Sequence, residues 1–206
     1  MFLFGFVLSG VAVFCMVIAF SSPNWMESFE QADSKFVKLG LWEFCFNDYT
    51  FYKDYQGKRY RGCWYIFSYE YRPIWEWLSP PWFISVQVMI SVTLLCQTLV
   101  VIFLLSLLVR CCPHQMESIL LMISSIMMFL CGLLIAISLI VFGVMSEDRQ
   151  WMPRPDQNFL SWSFGICVMS GFFSLFGAMC LLVASISASA ERSTAPSMNM
   201  AMKTRY

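Results

Sequence analysis

Four stretches of this chain carry no charged side chain: Met1–Phe20, Trp77–Val109, Ser118–Ser146 and Gln157–Ala190. A segment in hydrocarbon must satisfy its own backbone polar groups, and a helix needs about 20 mostly apolar residues to cross. Each run holds such a segment, so the sequence predicts four transmembrane helices, over about 2–20, 82–109, 118–145 and 159–184. Composition agrees. Hydrophobic residues make up 59% and charged residues 13%, where soluble domains carry about 45–50% and about 25%. Disordered chains are polar and charge-rich, so that class is excluded. Thirteen Lys+Arg against 13 Asp+Glu leave no basic field for nucleic acid.

The third span, 28 residues from Ser118 to Met145, would measure about 42 Å as a helix, beyond a ~30 Å hydrocarbon core, and is expected to tilt or project. Trp82 opens the second span, and Phe159 with Trp162 the fourth. They match the aromatic belt at the lipid boundary. The first run could also be a secretory signal. It lacks a basic n-region and exceeds the usual 7–15-residue apolar stretch, so it reads as a retained anchor. Gly5, Gly10, Gly132 with Ala136, Gly165, Gly171 and Gly177 admit close helix approach in lipid, either inside the bundle or at a dimer face. No span carries Asp, Glu, Lys or Arg, so a proton relay or ion path has no residues to use.

Loop one, Ser21–Pro81, has 61 residues, loop two (Arg110–Glu117) has 8, and loop three (Glu147–Asn158) has 12. Residues after Ala184, rich in Ser, Ala, Met and Thr, read as an unstructured tail over 185–206. With four spans, loops one and three share a side and carry 9 Lys+Arg, against 4 on the side of loop two and both termini. A bare positive-inside count puts loop one in the cytoplasm, but the rule weakens for loops near ~60 residues. Cysteine argues the other way. Cys45 and Cys63 are alone in loop one. Either they stay two thiols or they form a disulfide, which needs an oxidising compartment. Cys111-Cys112 sit in the short loop, either as plain interfacial thiols or as palmitoylation sites on the cytoplasmic face. Loop one is therefore read as extracellular and both termini as cytoplasmic.

Loop one is dense in aromatics: seven of the eight Tyr lie between Tyr49 and Tyr71. Aromatic and β-branched residues favour pleated surfaces. Lys35–Leu39 and Trp42–Phe46 read as strand, interrupted at Gly40, and Cys63–Tyr69 reads as another, with a turn at Asp54–Gly57. A Cys45–Cys63 bond would clamp this hairpin. The aromatic excess over aliphatics points to rings left exposed for a partner.

Trp25, then Gly40-Leu41-Trp42, then Cys45 and Cys63 resemble the W…GLW…C…C motif of claudins. Their wider superfamily includes the peripheral-myelin-protein group and the calcium-channel gamma subunits. The four-span layout extends the resemblance along nearly the whole chain, read as one claudin-like domain over 1–206. It implies a membrane protein built as a left-handed four-helix bundle. An extracellular antiparallel sheet would come mainly from loop one, with an edge contribution from loop three. By the same resemblance, Trp42 with Leu41 anchors the sheet at the membrane edge, and Gly40 supplies the freedom for a bend. Three features depart from vertebrate claudins: a wider gap from Cys45 to Cys63, no Arg at the start of span two, and no Tyr-Val ending. In these the chain is similar to divergent invertebrate members, the claudin-like proteins of septate junctions.

The resemblance implies a structural adhesion protein of lateral cell–cell junctions in the plasma membrane, tight or septate. It would form a paracellular barrier through homo- or hetero-oligomers. Its partners would be membrane lipid and other claudin-like or junction proteins in the same and the opposing membrane. The gamma-subunit branch implies instead an auxiliary subunit of a channel or receptor. Loop one carries 7 basic and 8 acidic residues, too balanced to select ions, which favours a barrier over a selective channel. Thr204-Arg205-Tyr206 is either a ligand for a PDZ-type scaffold, which captures a terminal carboxylate, or an unread tail. The sole histidine, His114, lacks companions for a metal site, and no phosphate loop, HExxH or GxSxG occurs. The chain reads as no enzyme, with no cofactor.

Overall fold

The structure is a computed structural model that describes residues 1–29, 34–51, 57–110, 116–152 and 154–203, with side chains described through 191. The elements run α1 (Phe2–Ser21), β1 (Met26–Ser28), β2 (Phe36–Leu39), β3 (Glu43–Thr50), β4 (Arg59–Tyr65), a 3-10 turn (Tyr69–Ile74), α2 (Trp75–Leu78), α3 (Pro81–Leu108), α4 (Glu117–Met145), a 3-10 turn (Pro155–Gln157), β5 (Asn158–Leu160) and α5 (Trp162–Lys203). Four helices are long and apolar enough to cross a membrane: α1, α3, α4 and Trp162–Glu191 of α5. Their outer faces show Leu3, Phe4, Val7, Phe14, Val88, Leu95, Ile102, Ile126, Ile137 and Phe172 exposed. Apolar bands of that extent need lipid, not water, as their solvent.

The chain divides into two compact units. The first comprises Met1–Val13, Leu95–Leu133 and Gly171–Tyr206. All four long helices contribute to its core, through Ala12, Val100, Leu104, Leu121, Met128, Ala178 and Leu181. Small and polar residues hold them together. A Cβ on Gly132 would stand 2.6 Å from Leu175 Cδ2, and one on Gly5 2.9 Å from Leu181 Cδ2. Those two glycines are therefore spent on packing inside the bundle, while Gly10 and Gly165 have nothing within 4 Å. Gln97 Nε2 donates to Ser174 Oγ at 2.8 Å, and Ser125 Oγ to the Ala178 carbonyl at 2.8 Å. Polar side chains that bond across helices replace the hydrophobic drive that lipid cannot supply.

Residues 185–203 are helical and not an unstructured tail. Helix α5 continues through Lys203, where the sequence predicts no structure beyond residue 184. Ser118 Oγ donates to the Ser185 carbonyl, Ser185 Oγ to the Ser118 carbonyl, and the Ser118 and Ser189 hydroxyls pair. These ties hold α5 helical past the apolar stretch, and Ala and Met continue it as good helix formers.

The second unit, Phe14–Leu94 with Leu134–Ser170, holds one five-stranded antiparallel sheet in the order β4-β3-β2-β1-β5. Its core joins the sheet to helical segments through Met16, Ala19, Trp25, Phe44, Phe83, Ile90, Phe142 and Cys167. Strand β5 confirms the edge contribution expected from loop three, and it displaces the expected start of the fourth span. Met26, Glu27 and Ser28 pair with Leu160, Phe159 and Asn158, so those backbones are satisfied by the sheet and α5 begins at Trp162. Strand β4 runs Arg59–Tyr65 and not to Tyr69. The Ile66 amide makes a last cross-strand bond to the Trp42 carbonyl, and Ser68 N–H then turns back to the Tyr65 carbonyl. The turn expected at Asp54–Gly57 lies, save Gly57, outside the described residues.

Candidate adhesive surface: a clamped sheet with an open edge

The core of the surface is the β3–β4 pair. Cys45 stands directly opposite Cys63 in the register, their Cα atoms are 4.0 Å apart, and the two are joined as a disulfide. The bond closes 17 intervening residues, a loop whose constraint is worth about 3 kcal/mol on the chain-entropy model, though the mechanism is disputed. Two residues of β3, Asn47 and Asp48, oppose one of β4 between Phe46↔Gly62 and Tyr49↔Tyr60. This is a β-bulge, with Asp48 in the left-handed region at φ 57°, a conformation that Asp tolerates better than most residues. It lets one carboxylate meet both Arg59 at 3.1 Å and Arg61 at 3.5 Å. Lys58 pairs with Glu70 at 2.6 Å and lies over the Tyr60 ring. Three cations thus pair with two carboxylates near this edge.

Strand β4 ends the sheet, and six of its seven residues are exposed. Trp64 and Tyr65 at its end, and Phe67, Tyr69 and Trp75 beyond it, are exposed, as the aromatic excess predicted. Other rings form the floor. Phe46, Tyr49 and Trp77 stack, with Tyr49 and Trp77 5.7 Å apart at 9°. Tyr71 is buried and donates its hydroxyl to the Phe44 carbonyl at 2.9 Å. Burial first, then the charges of Glu43 and Glu70, push its phenol above the ordinary range.

The motif residues divide into distinct roles. Trp25 is fully buried between Phe142 and Phe164, with ring centroids at 5.2 and 5.9 Å. Its Nε1 donates to the Ala19 carbonyl at 2.7 Å, and its backbone joins Leu39 and Ser161. It ties the end of α1 to both β2 and the start of α5. Leu41 is fully buried, and its carbonyl accepts from Gln87 Nε2 at 2.6 Å. Trp42 is only half-buried, 5.2 Å from Phe20 and 6.3 Å from Phe67. Trp25 and Leu41 are thus the buried anchors, and Trp42 is a boundary ring. Gly40 is needed for space and not for a bend: a Cβ there would lie 2.6 Å from both Pro23 Cα and the Ser22 carbonyl oxygen.

Gln87 and the Glu43–Tyr65 cross-strand pair were not singled out from the sequence. Gln87 did leave a signal, as one of two amides with Gln97 in a span without charge, where polar groups are bonded across elements. Cys111, Cys112, His114 and Thr204-Arg205-Tyr206 lie outside the described residues. The remaining described cysteines, Cys15, Cys96, Cys131, Cys167 and Cys180, are unbridged.

A search of curated proteins returns no match to the chain. A family model described as PMP-22/EMP/MP20/Claudin tight junction matches residues 10–183, which takes in α3 and α4 whole, the latter part of α1, most of the fourth span, the disulfide and every strand of the sheet. With the four helices and the disulfide-clamped antiparallel sheet on the same residues, the chain belongs to the PMP-22/EMP/MP20/claudin family of four-span membrane proteins.

Proposed function

We propose that the protein is a structural component of lateral cell–cell contacts. Copies would associate side by side in one membrane, and across the gap with copies or relatives on the neighbouring cell, to seal the paracellular path. The observation that carries this reading is the open edge. Strand β4 ends a covalently clamped sheet and exposes six of its seven residues. An edge strand with free backbone groups is a template for pairing with another chain. The disulfide also supports placing loop one on the oxidising, extracellular side, and with it both termini in the cytoplasm. Charges of mixed sign, paired around Asp48 and Glu70 with three cations to two carboxylates, build no strong field and support a barrier over an ion-selective channel.

The test is a mixed culture of cells with and without the tagged protein. Enrichment only at borders where both cells express it supports adhesion across the gap. An even surface distribution, with recovery alongside channel subunits, would assign it instead to the auxiliary-subunit role.

A further inference from the structure

A recess of about 240 Å³ lies beside the last turn of α1, lined by Phe20, Ser21, Ser22, Pro23, Trp42, Glu43 and Tyr65. Drug-sized sites run about 300–1,000 Å³, so this one suits a headgroup and not a whole ligand. Its walls come from three aromatic rings and its charge from one carboxylate. Glu43 stands directly opposite Tyr65 in the β3–β4 register, so both side chains share a face, and the neighbouring Cys45–Cys63 disulfide fixes that register. Phe20 and Trp42 pack 5.2 Å apart. Among the described residues, no Lys or Arg pairs with Glu43. Phe20 and Ser21 end a membrane span, which puts the recess at the depth where lipid headgroups sit.

Aromatic faces attract cations through the ring quadrupole, and aromatic cages are the usual receptors of quaternary ammonium groups. A carboxylate among the rings adds the complementary charge. We propose that this recess binds the trimethylammonium group of a phosphocholine lipid from the surrounding bilayer, with Trp42, Tyr65 and Phe20 as walls and Glu43 as counter-charge. The site is independent of the barrier reading, since it needs only the span end and the sheet. It would hold the sheet to its own membrane at one defined point, beside the disulfide.

The test is native mass spectrometry of the full chain released from nanodiscs of equal phosphatidylcholine and phosphatidylethanolamine with the same acyl chains. The wild type is expected to retain phosphatidylcholine with a preference of about fivefold, inside the range that cation–aromatic contacts supply. Glu43→Gln and Tyr65→Ala should each bring the ratio near one. Neither residue carries the buried core, and helical circular dichroism with an intact disulfide verifies the fold of each. Equal retention of both lipids by the wild type, or an unchanged preference in both variants, overturns the proposal. Excess choline chloride separates the two sources of the cation. Displacement of the lipid at micromolar choline would assign the site to a soluble ligand and overturn the lipid claim, whereas retention supports it.

Discussion

Gly40→Ala adds one methyl group where the chain has no room. The new Cβ would sit 2.6 Å from Pro23 Cα and 2.6 Å from the Ser22 carbonyl oxygen, when ordinary contact begins at 3.4 Å. Relief requires a backbone shift of about 0.8 Å. That backbone is tethered: Gly40 N–H donates to the Glu43 carbonyl at 2.8 Å, and Trp25 N–H to the Leu39 carbonyl at 2.8 Å. Overpacking of this kind costs about 1–3 kcal/mol, and losing one of these bonds adds about 1 kcal/mol, so we expect a loss of ~2–4 kcal/mol. Two other glycines calibrate it. At Gly132 the obstacle is the Leu175 side chain, which can change rotamer, so Gly132→Ala should cost less. At Gly10 nothing lies within 4 Å, so Gly10→Ala should be neutral or slightly stabilising in a helix. Thermal unfolding in detergent and the fraction reaching the cell surface measure all three. A Gly40→Ala protein as stable and as well delivered as Gly10→Ala would refute the packing account.

Trp25→Ala should cost about 3–5 kcal/mol, as for other fully buried large rings, and should exceed Trp42→Ala, whose ring is only half-buried; retention in the secretory pathway ranks them, and the reverse order would contradict the assignment of anchors. Peptide mapping of unreduced protein should recover the Cys45–Cys63 link, and Cys45→Ser should lose about 3 kcal/mol, with two alkylatable thiols in the wild type as the contrary result. Gln87→Leu strands the buried Leu41 carbonyl and should cost about 1–3 kcal/mol, seen as a lower melting temperature; an unchanged melt would mean the bond is idle. Tyr71 binds its proton more tightly folded than unfolded, so stability is intact below the unfolded phenol value of about 10 and falls as pH rises beyond it. Melts between neutral pH and pH 11 should show a shallower alkaline decline in Tyr71→Phe, and equal slopes would oppose the claim.

The helices were legible because lipid imposes a crude rule, about 20 apolar residues without charge, and four runs obey it. The Cys45–Cys63 pair and the β2–β3 segments were legible because loop one offers few thiols and its aromatic runs are long enough to show. Strand β1 was not. Met26-Glu27-Ser28 carries no pattern of its own and is a strand only because Leu39 and Leu160, remote in sequence, flank Met26. The same pairing hid β5, whose Phe159 and Leu160 are as apolar as the helix that follows. Gly40 showed its importance but not its reason, since a close approach to Pro23 is a tertiary fact. Glu43 looked like one more loop charge until the register set it against Tyr65.

The most direct test of the adhesive reading places a glycan on the open edge. The chain has no Asn-x-Ser/Thr acceptor in its loops, and R59N combined with R61T creates one on β4 at two exposed positions. The variant is scored in mixed cultures for a glycosidase-sensitive size shift and for enrichment at borders between two expressing cells. If loop one is extracellular, as proposed, the glycan is added, and border enrichment is lost while surface delivery persists. An unglycosylated chain would contradict the orientation, and a glycosylated chain that still gathers at shared borders would contradict the β4 edge as the surface of association.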